Sequence, residues 1–343
     1  MMTPLERSLD KLGISELDGI ELAKAKALMV GYHEKWGDLE WQALSVEESV
    51  SFPIEGTDWQ YAGKIDTLVT GYNQERVMVE HKTTTIDLSD QTNPYFLRLS
   101  FEQQLSRYHL AMYVNQRPLT QSIYDIIRKL SIKPKSIPKG SERKPEGTQR
   151  EISQYGTYYG LDVGESVDCE SPPTSECLRL YYLRCLHTVL TQSDKYYCRV
   201  GNIYRTGTQL LETYDELEDI VKDIDEATAN ERWYQNTNMC NSYNSPCEYI
   251  SLCRGTSSEE DDRWRHRKGG DTSGQFTLSH SKAGCFMTCR RKYYYRYVQQ
   301  IEPNREKSDA LVFGSAFHEA LEEYWKARKI GENDDRSNNE VAG

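Results

Sequence analysis

Three residues in the stretch WQYAGKIDTLVTGYNQERVMVEHKTT, residues 59–84, have the types and spacing for metal-assisted hydrolysis: Asp66, Glu80 and Lys82. The stretch reads as two strands. Asp66 lies on the first, which runs on through Val69, and the second spans 76–83. Gly71, Tyr72, Asn73 and Gln74 form the turn between them. Successive strand side chains point to opposite faces, so Glu80 and Lys82 share one face and Val79 and His81 the other. Asp, Glu and Lys are depleted in strands and costly to desolvate without partners. A hard divalent cation such as Mg²⁺ on Asp66 and Glu80 would neutralise the carboxylates. Lys82 would then stand beside the metal, placed to hold an attacking water or steady a developing phosphate charge. The plainer reading is a solvated hairpin whose Glu80 and Lys82 form a surface pair.

Several elements must hold these residues. Residues 15–36 read as a helix with an apolar stripe (Leu17, Ile20, Ala23, Ala27, Val30), ended by Gly37. Residues 41–54 alternate imperfectly as a strand, with Pro53 at its limit. Residues 95–114 read as a single helix in which Leu97, Phe101, Leu105, Tyr108 and Met112 recur every three or four positions. Gln104 and Tyr108 lie one turn apart on it. Either Tyr108 packs in the core with Gln104 capping its edge, or both aim at a substrate held over the central strands. Residues 121–132 and 195–204 are expected as strands, and 178–190 as a helix or strand. Thr208 is expected to cap a long helix reaching 229, with Leu210, Leu211, Tyr214, Leu217, Val221 and Ile224 facing the core. Residues 133–175, rich in Pro, Gly, Lys and Ser, read as a loop or insertion. Its lysines suit either solvent or a phosphate backbone.

A second chemical centre lies at 240–253, CNSYNSPCEYISLC, where Cys240, Cys247 and Cys253 fall close together. Thiols so grouped suggest metal ligation, and a tetrahedral ion or a cubane needs a fourth. Residues 254–275 are polar and charged, which suits a linker. Beyond it, Ser279 or Ser281 caps a helix carrying Cys285 and Cys289. The run CRRKYYYRY follows, and a helix from Gly314 then carries His318, Leu321 and Trp325 on one face. The tyrosines of that run are either core residues or a wall on which unpaired bases stack. A lone helical histidine is commonly a satisfied structural group. The tail from Gly331 reads as frayed.

The totals set bounds. The 343 residues suffice for one large domain or two smaller ones. Mean hydropathy is −0.75 with 28% charged residues, yet 24 tyrosines and 6 tryptophans speak for a globular chain. No apolar run reaches the roughly 18–20 residues of a membrane span, and no signal peptide opens the chain. A soluble cytoplasmic protein is expected, bacterial or, if phage-encoded, of the host. Nine cysteines in a reducing compartment point to metal rather than disulfides. The net charge of −11 opposes a nonspecific nucleic-acid coat but allows a confined basic groove.

Together these pieces resemble the PD-(D/E)XK nucleases of the RecB-like, AddB-like exonuclease branch with an iron–sulfur cluster. GKID supplies the motif aspartate Asp66, VEHKTT the E-x-K pair Glu80 and Lys82, and QLSRY the Q-x-x-x-Y pair Gln104 and Tyr108. GSAFHEALEEYW resembles the histidine motif with His318. The loop 240–253 resembles the C-terminal cysteine trio, and TCRRKYYYRYV the segment with the single N-terminal cysteine, Cys289. The resemblance implies an α/β fold: a restriction-endonuclease-like core of mixed sheet flanked by helices, with a helical and loop region around the cysteines. In the family the cysteine-and-tyrosine segment and the histidine motif come first, whereas here they come last. The chain therefore resembles a circular permutation, with 1–253 as nuclease core, 254–275 as linker, 276–330 completing the same domain and 331–343 as a disordered tail. A truncated second copy beginning at 276 is the competing reading.

The resemblance further implies a Mg²⁺- or Mn²⁺-dependent deoxyribonuclease. Its metal would sit on Asp66, Glu80, His318 and the main-chain carbonyl of His81, with Lys82 orienting the water and Gln104 and Tyr108 positioning the strand. Cys240, Cys247, Cys253 and Cys289 would hold a structural [4Fe-4S] cluster. DNA, single-stranded or at an end, is the implied substrate, in recombination, repair or phage DNA processing. A helicase or recombination protein is an implied partner, since the chain carries no Walker motif. Two other classes stay open: a non-catalytic iron–sulfur DNA-binding subunit of a helicase–nuclease complex, and a zinc-binding interaction module.

Overall fold

The computed structural model describes residues 2–71, 75–135, 156–163, 176–242, 245–267, 276–306 and 308–329. The expected turn at 72–74, most of the insertion within 133–175 (with Cys169), and the tail 331–343 lie outside the described residues. In chain order the main elements are α1 (Pro4–Gly13), α2 (Gly19–Trp36), β1 (Gln42–Pro53), β2 (Trp59–Thr70), β3 (Arg76–Thr84), α3 (Pro94–Ser100), α4 (Gln103–Val114), β4 (Gln121–Arg128), α5 (Leu178–Thr191), β5 (Tyr197–Ile203), α6 (Gly207–Ala229), β6 (Trp264–His266), β7 (Phe276–Leu278), α7 (His280–Thr288), β8 (Ile301–Pro303) and α8 (Asp309–Lys326). No helix among the described residues is long and apolar enough to cross a membrane.

The centre is a mixed sheet in the order β1-β2-β3-β4-β5, with the tail strand β7 added to β2. The β3–β4 and β7–β2 pairs are parallel and the others antiparallel. Helices cover both faces, so each strand feeds two cores. One core gathers Tyr61, Met78, Tyr124 and Ile126 against α4, α6 and α7. The other gathers Val69, Val77, Val79 and Ile127 against α1, α2, α5 and α8.

The tail segment enters both cores. Leu278, Ala283 and Phe286 belong to the first, while Phe313, Phe317, Leu321 and Trp325 of α8 belong to the second. These last four sit at the three- and four-residue spacing of an amphipathic helix.

Several sequence expectations are corrected. The helix expected over 95–114 is two helices, because Asn93 caps α3 and the chain turns at Phe101, leaving Leu97 and Phe101 exposed. A further helix, α1, precedes the expected first one; Thr3 and Glu6 form its capping box. The long helix is capped by Thr206 rather than Thr208, with Gln209 closing a second capping box. α8 begins at Asp309, ahead of Gly314. α7 is capped by Ser279 and ends at Thr288, so Cys289 sits at the break and not within the helix. Within 254–275, strand β6 pairs with β8, and Trp264 is buried against Tyr249; residues 268–275 lie outside the described residues.

Candidate active site and cysteine cavity

The site forms where the sheet splays. The β2–β3 ladder runs only from Thr70/Arg76 to Thr67/Val79. At its other end, the same edge of β2 is taken by β7 at Trp59–Tyr61. Backbone groups in the gap need other partners. The His81 N–H donates to Asp66 Oδ2 at 2.9 Å, and the Lys64 N–H donates to the Tyr108 hydroxyl. Gly63 admits that tyrosine, since a Cβ there would stand 2.6 Å from Tyr108 Cε1.

Glu80 and Lys82 share the α4 face, as strand alternation requires. Glu80 is 3% exposed. Lys82 Nζ lies 3.0 Å from Glu80 Oε1 and 2.9 Å from Gln104 Oε1. Gln104 Nε2 donates to Glu80 Oε1 (2.8 Å) and to the Tyr108 hydroxyl (3.1 Å). Gln104 thus bridges the E-x-K pair and Tyr108. Glu80 Oε2 is buried without a hydrogen-bond partner. Burial, together with the charge of Asp66, pushes the Glu80 carboxyl up to about 7 despite Lys82. Burial and the charge of Glu80 push the Tyr108 phenol up to about 12.

His318 arrives from α8. Its Nε2 lies 3.2 Å from Asp66 Oδ2 and its Nδ1 3.5 Å from Glu47 Oε1. The hydrogen bond to Asp66 raises the His318 pKa against the effect of burial. Burial opposes ionisation of Asp66, but His318, His81 and the His81 N–H outweigh it and hold that carboxyl below its ordinary value. Glu47, Asp66 and His318 each offer a donor atom within 4.8 Å of the others. Glu80 stands outside this tight group, turned toward Lys82 and Gln104.

Sequence reasoning missed Glu47. The signal was the Glu47–Glu48 pair that breaks the alternation of β1. Val50 and Phe52 face the first core, whereas Val46, of the same parity, packs on the second. The strand changes face at Glu47, whose φ is +54°. β2 changes face between Ile65 and Leu68. The register pairs Val46–Thr67 and Glu48–Ile65 bracket Glu47 and Asp66 and set them opposite one another.

Also missed was a buried network behind β3. The His81 ring lies 3.4 Å from Asp125 Oδ2. Asp125 accepts from Tyr32 (2.5 Å) and from Arg199 Nε (3.2 Å) and Nη2 (3.3 Å), and Arg199 stacks between Trp36 and Trp41. The signal was one aspartate in the otherwise apolar run IYDII.

Cys240, Cys247, Cys253 and Cys289 line one cavity of about 350 Å³. The Asn236 N–H donates to Cys289 Sγ at 3.4 Å, and the Tyr249 N–H donates to Cys247. Among the described residues no three thiols converge within 4.8 Å. Cys285 does not line this cavity; it packs against the first core. In the basic–aromatic run, Tyr293 and Tyr295 are buried. Arg290 pairs with Asp223, and Lys292 and Arg296 pair with Glu248. The run is packing around the cysteine cavity rather than an open wall.

Residues 277–342 match the model of the PD-(D/E)XK nuclease superfamily. That match covers the segment supplying Cys289 and His318. No curated protein and no solved structure matches the chain. The mixed sheet flanked by helices is consistent with a PD-(D/E)XK nuclease-like fold, and the match supports a nuclease-type function. Members of this superfamily typically use Mg²⁺ or Mn²⁺. The donors fit such an ion: carboxylates and an imidazole suit a hard or borderline divalent cation, and the unpartnered oxygen of Glu80 is the kind of atom it would satisfy.

Proposed function

We propose that this protein is a metal-dependent nuclease that hydrolyses phosphodiester bonds in DNA, most simply as an exonuclease. The observation that carries this reading is the meeting of α8 with the sheet: His318 stands 3.2 Å from Asp66 while Glu80, Lys82 and Gln104 form a hydrogen-bonded set on the adjoining strand and helix. Asp66, Glu80 and His318 would hold the ion, with Glu47 beside them. When bound, a divalent cation lowers the pKa of a coordinated water and neutralises charge on the scissile phosphate. Lys82, 26% exposed at its side chain, would orient the attacking water and face the charge that develops on the phosphoryl oxygens. Gln104 holds Lys82 and Glu80 in register, and Tyr108, fixed by the Lys64 N–H, closes the inner wall.

The four-cysteine cavity is read as the seat of a [4Fe-4S] cluster. A four-thiolate zinc site would bring its sulfurs to about 3.8 Å from one another, given Zn–S bonds near 2.3 Å. What supports the reading is that all four thiols line one cavity; iron and zinc analysis of the purified protein distinguishes the two. Because the cluster would join 240–253 to Cys289, its binding free energy would be folding free energy. The arrangement is also read as a circular permutation, in which 276–329 completes the domain begun at the N-terminus.

The test is end-labelled single- and double-stranded DNA incubated with Mn²⁺. Cleavage is expected from the wild type, lost on chelation, and reduced at least a hundredfold by Lys82→Ala. Undiminished cleavage by Lys82→Ala overturns the assignment.

A further inference from the structure

Glu47 has no place in the family motifs quoted above, yet it is built into the site. It stands opposite Asp66 at the point where β1 changes face. Its φ of +54° is a conformation that non-glycine residues adopt at a cost, held only where the surroundings over-determine it. The surroundings here are the Lys64 ammonium, which pairs with Glu47 Oε2, and the His318 ring, which presents Nδ1 to Oε1 at 3.5 Å.

The two ring nitrogens of His318 therefore have different neighbours. Nε2 faces Asp66, and Nδ1 faces Glu47. In a neutral imidazole one nitrogen carries the proton and the other a lone pair, and the partner of the first decides which is which. Without an ion, Nε2 hydrogen-bonds to Asp66; an ion that took the Nε2 lone pair would leave the ring proton on Nδ1, where Glu47 stands to accept it. Partners of this kind orient metal-binding histidines and strengthen them as donors.

We propose that Glu47 is a positioning residue that orients the His318 ring and accepts its Nδ1 proton when Nε2 serves a metal ion, with Lys64 anchoring its second oxygen. The role rests on the metal-dependent reading above. It makes the site a chain of polar contacts running Lys64–Glu47–His318–Asp66 across three elements, β2, β1 and α8.

The experiment measures Mn²⁺ affinity by the free-ion electron paramagnetic resonance signal, and ¹⁴N coupling to bound Mn²⁺ by spin-echo modulation. Both use full-length protein as purified, without DNA. Wild type is expected to bind Mn²⁺ and show a histidine nitrogen coupling. Glu47→Ala is expected to lose 10- to 100-fold in affinity and to weaken that coupling. Glu47→Gln keeps an acceptor for the Nδ1 proton and is expected to stay within about threefold of wild type. Equal affinities in wild type and Glu47→Ala overturn the proposal while leaving the nuclease reading intact. A loss in Glu47→Gln as large as in Glu47→Ala also overturns it, because the carboxylate would then be a ligand itself. Failure of the wild type to bind Mn²⁺ removes the metal reading on which both rest. Circular dichroism of each variant separates these results from misfolding.

Discussion

Glu80→Gln is expected to stabilise the metal-free protein while abolishing its activity. The carboxyl is buried, one of its oxygens has no partner, and its pKa stands at about 7 against an ordinary 4.5. At about 1.4 kcal/mol per pH unit, that displacement costs the fold about 3 kcal/mol once the group is ionised. The displacement already contains the favourable pull of Lys82. The amide carries no charge and keeps an acceptor for Lys82 and Gln104, so it escapes the penalty. For a chain of 343 residues, 3 kcal/mol corresponds to about 4 °C in Tm. The sign follows from proton linkage. The native state binds the Glu80 proton more tightly than the unfolded chain, so wild-type stability falls as pH rises from 4.5 through 7. The advantage of Glu80→Gln should therefore be full at pH 8, shrink to about 1 kcal/mol near pH 5, and vanish below 4.5. Thermal unfolding in chelator at pH 8, 6.5 and 5 measures it. Added Mn²⁺ should raise the wild-type Tm and leave the variant unmoved. A variant less stable than wild type at pH 8, or an advantage that grows as pH falls, would refute the idea that an unrelieved buried charge is held ready for a cation.

The same ionisation governs metal uptake: apparent Mn²⁺ affinity without DNA should weaken by up to tenfold per unit as pH drops below about 7, read by titration of the free ion. Asp125→Asn leaves Arg199 buried between Trp36 and Trp41 without its counter-charge, and should cost about 3–5 kcal/mol in urea unfolding. Cys289→Ser should abolish broad visible absorbance and iron content, and expose 234–267 to protease, while α8 and the acidic site stay folded. A reordered chain with 276–329 joined ahead of 2–267 should fold and bind Mn²⁺ like the natural order, compared by calorimetry and metal titration.

Much of the fold was legible because its signals are local. The alternation in VMVEHK put Glu80 and Lys82 on one face, and the spacing of Leu321 and Trp325 marked the buried side of α8, although it is Phe317 rather than His318 that is buried with them. What escaped was set by contacts between distant segments. The break at Phe101 looked like continued apolar spacing, but the helix stops there and leaves that ring in solvent. Glu47 is a functional candidate only because β1 turns over opposite Asp66, and a reversal of face is invisible to a rule that assumes strict alternation. Asp125 was visible as a charge in an apolar strand, but its partners Tyr32 and Arg199 lie 93 and 74 residues away.

The order of the segments bears on whether 276–329 is a second, truncated unit or part of the first. A separate unit would bring its own sheet and its own core. Among the described residues this segment does neither, and its one separate ladder and small third cluster are shared with 249–266. β7 lengthens the edge of β2 in parallel register, Leu278 and Phe286 complete the core beneath α4 and α6, and Phe317 and Trp325 complete the opposite one beneath α2. Arg328 holds carbonyls of Gly37 and Leu39, and the Ala43 N–H donates to the Arg328 carbonyl, so the end of α8 closes on the start of β1. Removing the segment would open both apolar faces of the sheet at once and take away the imidazole beside Asp66 and the fourth thiol of the cysteine cavity. Packing of this kind depends on which surfaces meet, not on the order in which the chain supplies them. For that reason the segment matched by the family pattern, 277–342, can share its sheet and both cores with residues near the start of the chain.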